Sequence, residues 1–167
     1  MYSINLVLNE NSFEKASDEL LQYAIKLEYC EKLILKKLAE YALERMKYYL
    51  EETTNQETST GELINSLSIE LGENFARAFT NNEYAKYVEF GTGIIGSRNP
   101  HPSLPRGWTY DTNSHGEKGW VYTAKDGKKY WTKGEIAHQF AYRTYLDLKQ
   151  NYIRLSKEVL KESGLLW

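Results

Sequence analysis

One cysteine, three prolines and three histidines are all that 167 residues offer of the types that staple, kink or ligate. Cys30 alone cannot make an internal bridge, so no disulfide framework holds the fold. With Tyr29 and Leu33 as neighbours it reads as a buried structural thiol. No run approaches the ~18 apolar residues of a membrane span. The opening MYSINLVLNENSFEK lacks a basic leader and a long apolar stretch, so a soluble, cytosol-made protein without a signal peptide is expected. The net charge of -2 provides no global field for nucleic acid or anionic lipid. His101, His115 and His138 form no HExxH pair.

What is present is a chain of single-domain length with 41% apolar residues, enough to bury a core. Its charge is divided: residues 1–97 balance to -7 and residues 98–167 to +5. Opposite ends of opposite sign suit head-to-tail contact between copies. Residues 3–8 (SINLVL) suggest a first strand. A long helix is expected from Phe13 to Glu52, with Leu35, Leu38, Ala39, Ala42, Met46 and Tyr49 at helical spacing. A straight helix of that length would reach ~60 Å, so a bend or break is expected at residues 25–30. Residues 53–61 read as a polar, mobile linker and residues 62–67 as one helical turn. Two strands are expected at 66–71 and 75–80, turning at 72–74, then a short helix at 84–90 capped by Asn81 and Asn82. A last helix spans 139–162, with Phe140, Tyr145, Leu148, Tyr152, Leu155 and Val159 as its core stripe and Gly164 at its end. The fold class is α+β: an antiparallel sheet packed against a long N-terminal helix and a C-terminal helix, with a long central loop or hairpin. One domain, 1–167, divides into segments 1–52, 61–90, 91–134 and 135–167.

Residues 84–134 concentrate the unusual features. They hold three of the four tryptophans and all three prolines, in the blocks YAKYVEFGTG, PHP, GWTY, HGEKGWVY and YWTKG. Tyr87 and Val88 share a helical face that Gly91 would end, and Gly93 permits a further turn. Glu89 is misplaced there, because a carboxylate at a helix C-terminus meets the negative end of the helix dipole. An offsetting Arg or Lys, from this chain or a neighbour, is expected. Trp108/Tyr110 and Trp120/Tyr122 would each point to one side of an extended arm, and the two arms, with Trp131, could form an aromatic ribbon. Long aromatic loops of this kind are usually functional, and Trp and Tyr are enriched in interface hot spots. Residues 94–129 are expected to order only against a neighbour.

No catalytic cluster stands out. Gly91-Thr92-Gly93 lacks the lysine of a phosphate loop, and Ser103 and Ser114 lack a nucleophile-elbow context. Asp111, His115 and Glu117 could chelate a divalent ion, but a glycine-rich loop lacks the fixed geometry metal sites need. Arg98, Arg106, Lys118, Lys125, Lys128, Lys129 and Lys133 interleave with aromatics, a combination that could bind single-stranded nucleic acid. The expectation is a non-enzyme with no catalytic residue, cofactor or metal.

The ordered set YxxYVEFGTG, PHP, GWxY, HGxKGWVY and W-TKG, followed by a C-terminal helix, resembles the tail-completion or head–tail joining proteins of long-tailed bacteriophages and prophages. The match covers about residues 61–147. Ile136-Ala137-His138-Gln139-Phe140 keeps the family's phenylalanine but has Gln139 where proline is usual. The resemblance implies a virion protein of the tail or neck, made in the host cytoplasm. It implies assembly as a ring, usually of six, which caps the tail tube protein and meets the head connector or adaptor protein. DNA would pass through that ring without specific recognition, and no membrane is involved. Candidate interface residues are Tyr87, Glu89, Phe90, Gly91, Thr92, Gly93, Trp108, Tyr110, Trp120, Tyr122 and Trp131. The alternatives are a minor capsid or neck protein with a different neighbour, a single-strand nucleic-acid-binding module, and a metal-dependent hydrolase at Asp111, His115 and Glu117.

Overall fold

The computed structural model describes residues 10–53, 61–112, 118–123 and 127–166. The expected strand at 3–8 and most of the expected linker at 53–61 lie outside them. The architecture is α+β. Helix α1 spans Glu10–Thr53 without interruption. The expected break at residues 25–30 does not occur. No glycine or proline interrupts the run, and Glu28–Lys32 (3.1 Å) and Lys36–Glu40 (3.8 Å) pair along its surface. The helix, ~66 Å at 1.5 Å per residue, therefore outgrows the body instead of bending to fit it.

Helix α5 (Phe140–Glu162) packs antiparallel to α1. Its start is fixed by Arg143 on Glu52 (2.6 Å) and by Asp147, which accepts from Arg45 Nε and the Tyr49 hydroxyl, both at 2.6 Å. Arg45 also donates to the Tyr49 oxygen at 2.8 Å. Burial first, and then the bond to Asp147, push the Tyr49 hydroxyl above its usual pKa, against the opposing pull of Arg45. The far end of α5 closes in a left-handed glycine, Gly164 at φ 68°. The Leu165 amide reaches the Leu160 carbonyl (2.8 Å) and the Gly164 amide the Lys161 carbonyl (2.9 Å), which satisfies the last turn. Of the expected stripe, Phe140, Leu155 and Val159 are buried, but Tyr145 and Tyr152 are exposed. The seam against one facing helix is narrower than the apolar stripe.

Helix α2 (Glu62–Ser66) leads into a hairpin of β1 (Ser68–Leu71) and β2 (Ala76–Phe79), with Ser68 opposite Phe79 and Leu71 opposite Ala76. The hairpin lies on α1. Helix α3 (Ala85–Phe90) follows, its entry fixed by the Asn82 side chain accepting from the Tyr84 amide at 2.9 Å. Met46, Tyr49, Leu50, Leu67, Ala85, Val88 and Phe140 form the core where these elements meet. Helix α4 (Gly93–Arg98), β3 (Trp120–Thr123), β4 (Lys129–Thr132) and the short β5 (Gly134–Glu135) complete the chain. Strands β3 and β4 form a second two-stranded sheet.

Asp147→Ala is expected to cost about 2–3 kcal/mol in urea unfolding, because it strips two charge-assisted bonds from a half-buried arginine and a buried tyrosine. A loss below ~0.5 kcal/mol would mean that the network does not hold α5 to α1.

Candidate functional site

Of the sequence blocks that stand out between residues 84 and 134, YAKYVEFGTG, PHP, GWTY and the TKG turn gather around one carboxylate. Glu89, on the last turn of α3, is only 6% exposed. Its Oε2 accepts from the Ala141 amide at 2.8 Å and its Oε1 from the Tyr142 amide at 2.9 Å. These are amides of the first turn of α5, whose own cap residue Gln139 makes no side-chain capping bond. A carboxylate unfavourable at the end of one helix thus serves at the positive end of another, where negative charge is stabilising. The backbone repeats the clamp: the His138 amide donates to the Val88 carbonyl (2.9 Å) and the Gln139 amide to the Glu89 carbonyl (3.3 Å). The expected arginine or lysine partner is absent from these contacts. Two backbone amides and a histidine replace it, and they need no added charge.

That histidine is His101 of the PHP block, 5% exposed. Its Nδ1 accepts from the Ser103 amide at 3.0 Å, so the proton sits on Nε2, which donates to Glu89 Oε1 at 3.1 Å. The ring meets Phe90 and Tyr142 edge-on, with centroids at 5.0 and 5.1 Å. GWTY follows it inward. Trp108 packs on Phe90 (5.0 Å) and Tyr87 (6.0 Å). The Tyr110 hydroxyl donates to the Phe90 carbonyl and accepts from the His101 amide, each at 3.2 Å.

The glycines admit backbone where a side chain would not fit. Thr92 bridges Glu135, and Gly93 bridges Gly134, in antiparallel fashion. A Cβ on Gly134 would stand 2.1 Å from the Thr92 carbonyl oxygen, and one on Gly91 would stand 2.8 Å from the Glu135 carbonyl oxygen. EFGTG and TKG are therefore two halves of one backbone contact. Beside it, Glu135 takes His138 Nε2 at 2.8 Å and the Tyr84 hydroxyl at 3.1 Å. Trp108 Nε1 and His138 Nδ1 are buried without a hydrogen-bond partner among the described residues. Gln139 holds φ 57°, which a proline ring cannot adopt, so this chain enters α5 by a turn closed to proline.

The candidate residues divide into two groups. Glu89, Gly91 and Gly93 are buried against the chain's own residues, and Phe90, Thr92, Trp108 and Tyr110 are half-buried beside them. Tyr87 is exposed at the edge of the knot. Trp108 and Tyr110 do not join an aromatic ribbon with Trp120 and Tyr122, because they fold back on Phe90. Of residues 94–112, Gly96, His101, Trp108 and Tyr110 pack on the domain, whereas residues 102–107 are exposed. The ribbon that does form pairs Trp120 with Thr132, Val121 with Trp131 and Tyr122 with Tyr130. Tyr122 and Tyr130 stack at 5.9 Å, and Trp131 donates to the Lys118 carbonyl at 3.0 Å. Val121, Tyr122, Tyr130 and Trp131 remain exposed.

His101, Tyr142, Glu135 and His138 were not among the candidates. The misplaced Glu89 was the signal available for them, since it demanded a partner. Of the chelation trio only Asp111 is described, and no group of three potential metal ligands occurs among the described residues. No protein-family model, curated protein or solved structure matches the chain.

Glu89→Gln is expected to cost about 2–3 kcal/mol, because its amide nitrogen must face a buried donor and the charge at the α5 N-terminus is lost. A near-neutral result in equilibrium unfolding would show that the carboxylate is not the cap. Gly134→Ala should be worse, since the 2.1 Å clash involves backbone that has nowhere to move.

Proposed function

We propose that this chain is a non-enzymatic virion protein of a tailed phage or prophage, completing the tail and joining it to the head connector as a ring. The observation that carries the reading is the convergence of EFGTG, PHP, GWTY and TKG into one knot around Glu89. Four of the five blocks on which the resemblance rests contribute to this one unit, whereas Trp120 and Tyr122 of the fifth lie on the β3–β4 hairpin. Uncovered apolar surface outside the knot, on β3–β4 and on the N-terminal part of α1, supports a role carried out by contact with other proteins. No helix among the described residues is long and apolar enough to cross a membrane.

A second reading draws on the same hairpin. Tyr122, Tyr130 and Trp131 are exposed beside Lys118, Lys128 and Lys129, a pattern that also suits stacking on single-stranded nucleic acid.

Purified protein mixed with tail tubes of the phage that encodes it should cap tube ends as rings visible by electron microscopy, and should leave single-stranded oligonucleotides unbound at physiological salt. Bare tube ends together with salt-sensitive oligonucleotide binding would transfer the assignment to the nucleic-acid reading. Rings that attach to the head connector but not to the tube would make it a neck protein with a different neighbour.

A further inference from the structure

We infer that the N-terminal arm of α1 docks on the β3–β4 hairpin of a second copy, joining copies head to tail. The inference deepens the proposed function and rests on its self-assembly part alone.

The arm begins where α5 ends. The Lys26 ammonium lies beside Gly164, just past the last turn of α5, so residues 12–25, ~21 Å of helix, extend beyond the end of α5. Phe13, Leu20, Leu21 and Ile25 on this arm are 59%, 56%, 58% and 53% exposed. Phe13 and Leu20 are seven residues apart, and Leu21 and Ile25 four, so they form two adjoining rows on the helix. The first fully buried side chain of α1 is Cys30, so the rows contribute little to the chain's own core. Between 12 and 25 the charged residues are Glu14, Asp18 and Glu19 against Lys15.

The hairpin has the complementary character. Val121 and Trp131 are exposed on one of its faces and Tyr122 and Tyr130 on the other. Isolated two-stranded hairpins are marginal in water, so a covering partner would stabilise this one. Between 118 and 133 the charged residues are Lys118, Lys125, Lys128, Lys129 and Lys133 against Asp126.

Position decides which copy supplies the partner. The hairpin returns through Gly134 to the start of α5, whereas the arm leaves from beyond the end of α5. The 23 residues of α5 separate them by ~35 Å, so an arm cannot reach its own hairpin. Arm on arm or hairpin on hairpin would bring like charges together. Arm on hairpin brings carboxylates to lysines and apolar rows to aromatics. Such a contact is heterologous and propagates into a ring or a filament.

Full-length protein in analytical ultracentrifugation tests this. Wild type should self-associate, less so at high salt. Glu14→Lys with Asp18→Lys, or Lys118→Glu with Lys129→Glu, should each weaken association by about tenfold or more, and the equimolar mixture of the two variants should recover most of it. As a check independent of charge, Leu21→Cys mixed with Val121→Cys should form an oxidised heterodimer that neither forms alone. A wild type that stays monomeric, reversals that associate like wild type, a mixture that fails to recover, or a disulfide formed by Leu21→Cys alone would each overturn the docking. Reversals without effect on association, with tubes still capped, would remove the docking and leave tail completion standing. Charge-dependent rescue with bare tube ends would do the opposite.

Discussion

The hydrogen bonds from the first turn of α5 to the Glu89 carboxylate are the interaction on which the rest of this structure depends. Helix α5 starts at a left-handed Gln139 that makes no side-chain capping bond, so its orphan amides need an acceptor from elsewhere. Glu89 supplies both oxygens, and His101 holds one of them in place. Burying a carboxylate is tolerable only with such partners, and here every one of them is neutral. The cap also dictates what surrounds it. His101 must be brought in by the PHP turn, and its ring must be walled by Phe90 and Tyr142. Tyr110 must reach back to tie the His101 amide to the Phe90 carbonyl.

The knot sorts the aromatic residues into two kinds. Phe90, Trp108 and Tyr110 stabilise the chain itself, and mutating them reports on folding. Val121, Tyr122, Tyr130 and Trp131 are exposed on a hairpin whose described strands pair only with each other. At the other end of the helix pair, α1 continues past α5 with apolar residues uncovered. The long helix thus connects a basic aromatic end to an acidic apolar one. On the proposed reading, two ends of unlike character suit serial contact between copies.

The elements with strong periodicity were legible in the sequence. Both long helices, the 68–79 hairpin and the short helix before Gly91 fall within a few residues of their expected bounds. The errors have a common origin. A break in α1 was expected from the size of a small domain, but nothing local forbids a helix from leaving the body. Trp108 and Tyr110 were paired with the second GW arm by dipeptide repetition, whereas their position was set by Phe90 and His101, a tertiary demand that leaves no trace in spacing. At Glu89 the anomaly was readable and its solution was not. A carboxylate can be matched by a cation, which composition can suggest, or by the amides of a helix start 52 and 53 residues away, which only the fold brings near.

Amide hydrogen exchange followed by NMR tests the role of Glu89 most directly. In the isolated protein, the Ala141 and Tyr142 amides should be protected like those in the interior of α5, and Glu89→Gln should selectively lose that protection. Rapid exchange at both amides in the wild type would mean that the α5 start is open to water and that Glu89 does not hold the knot together.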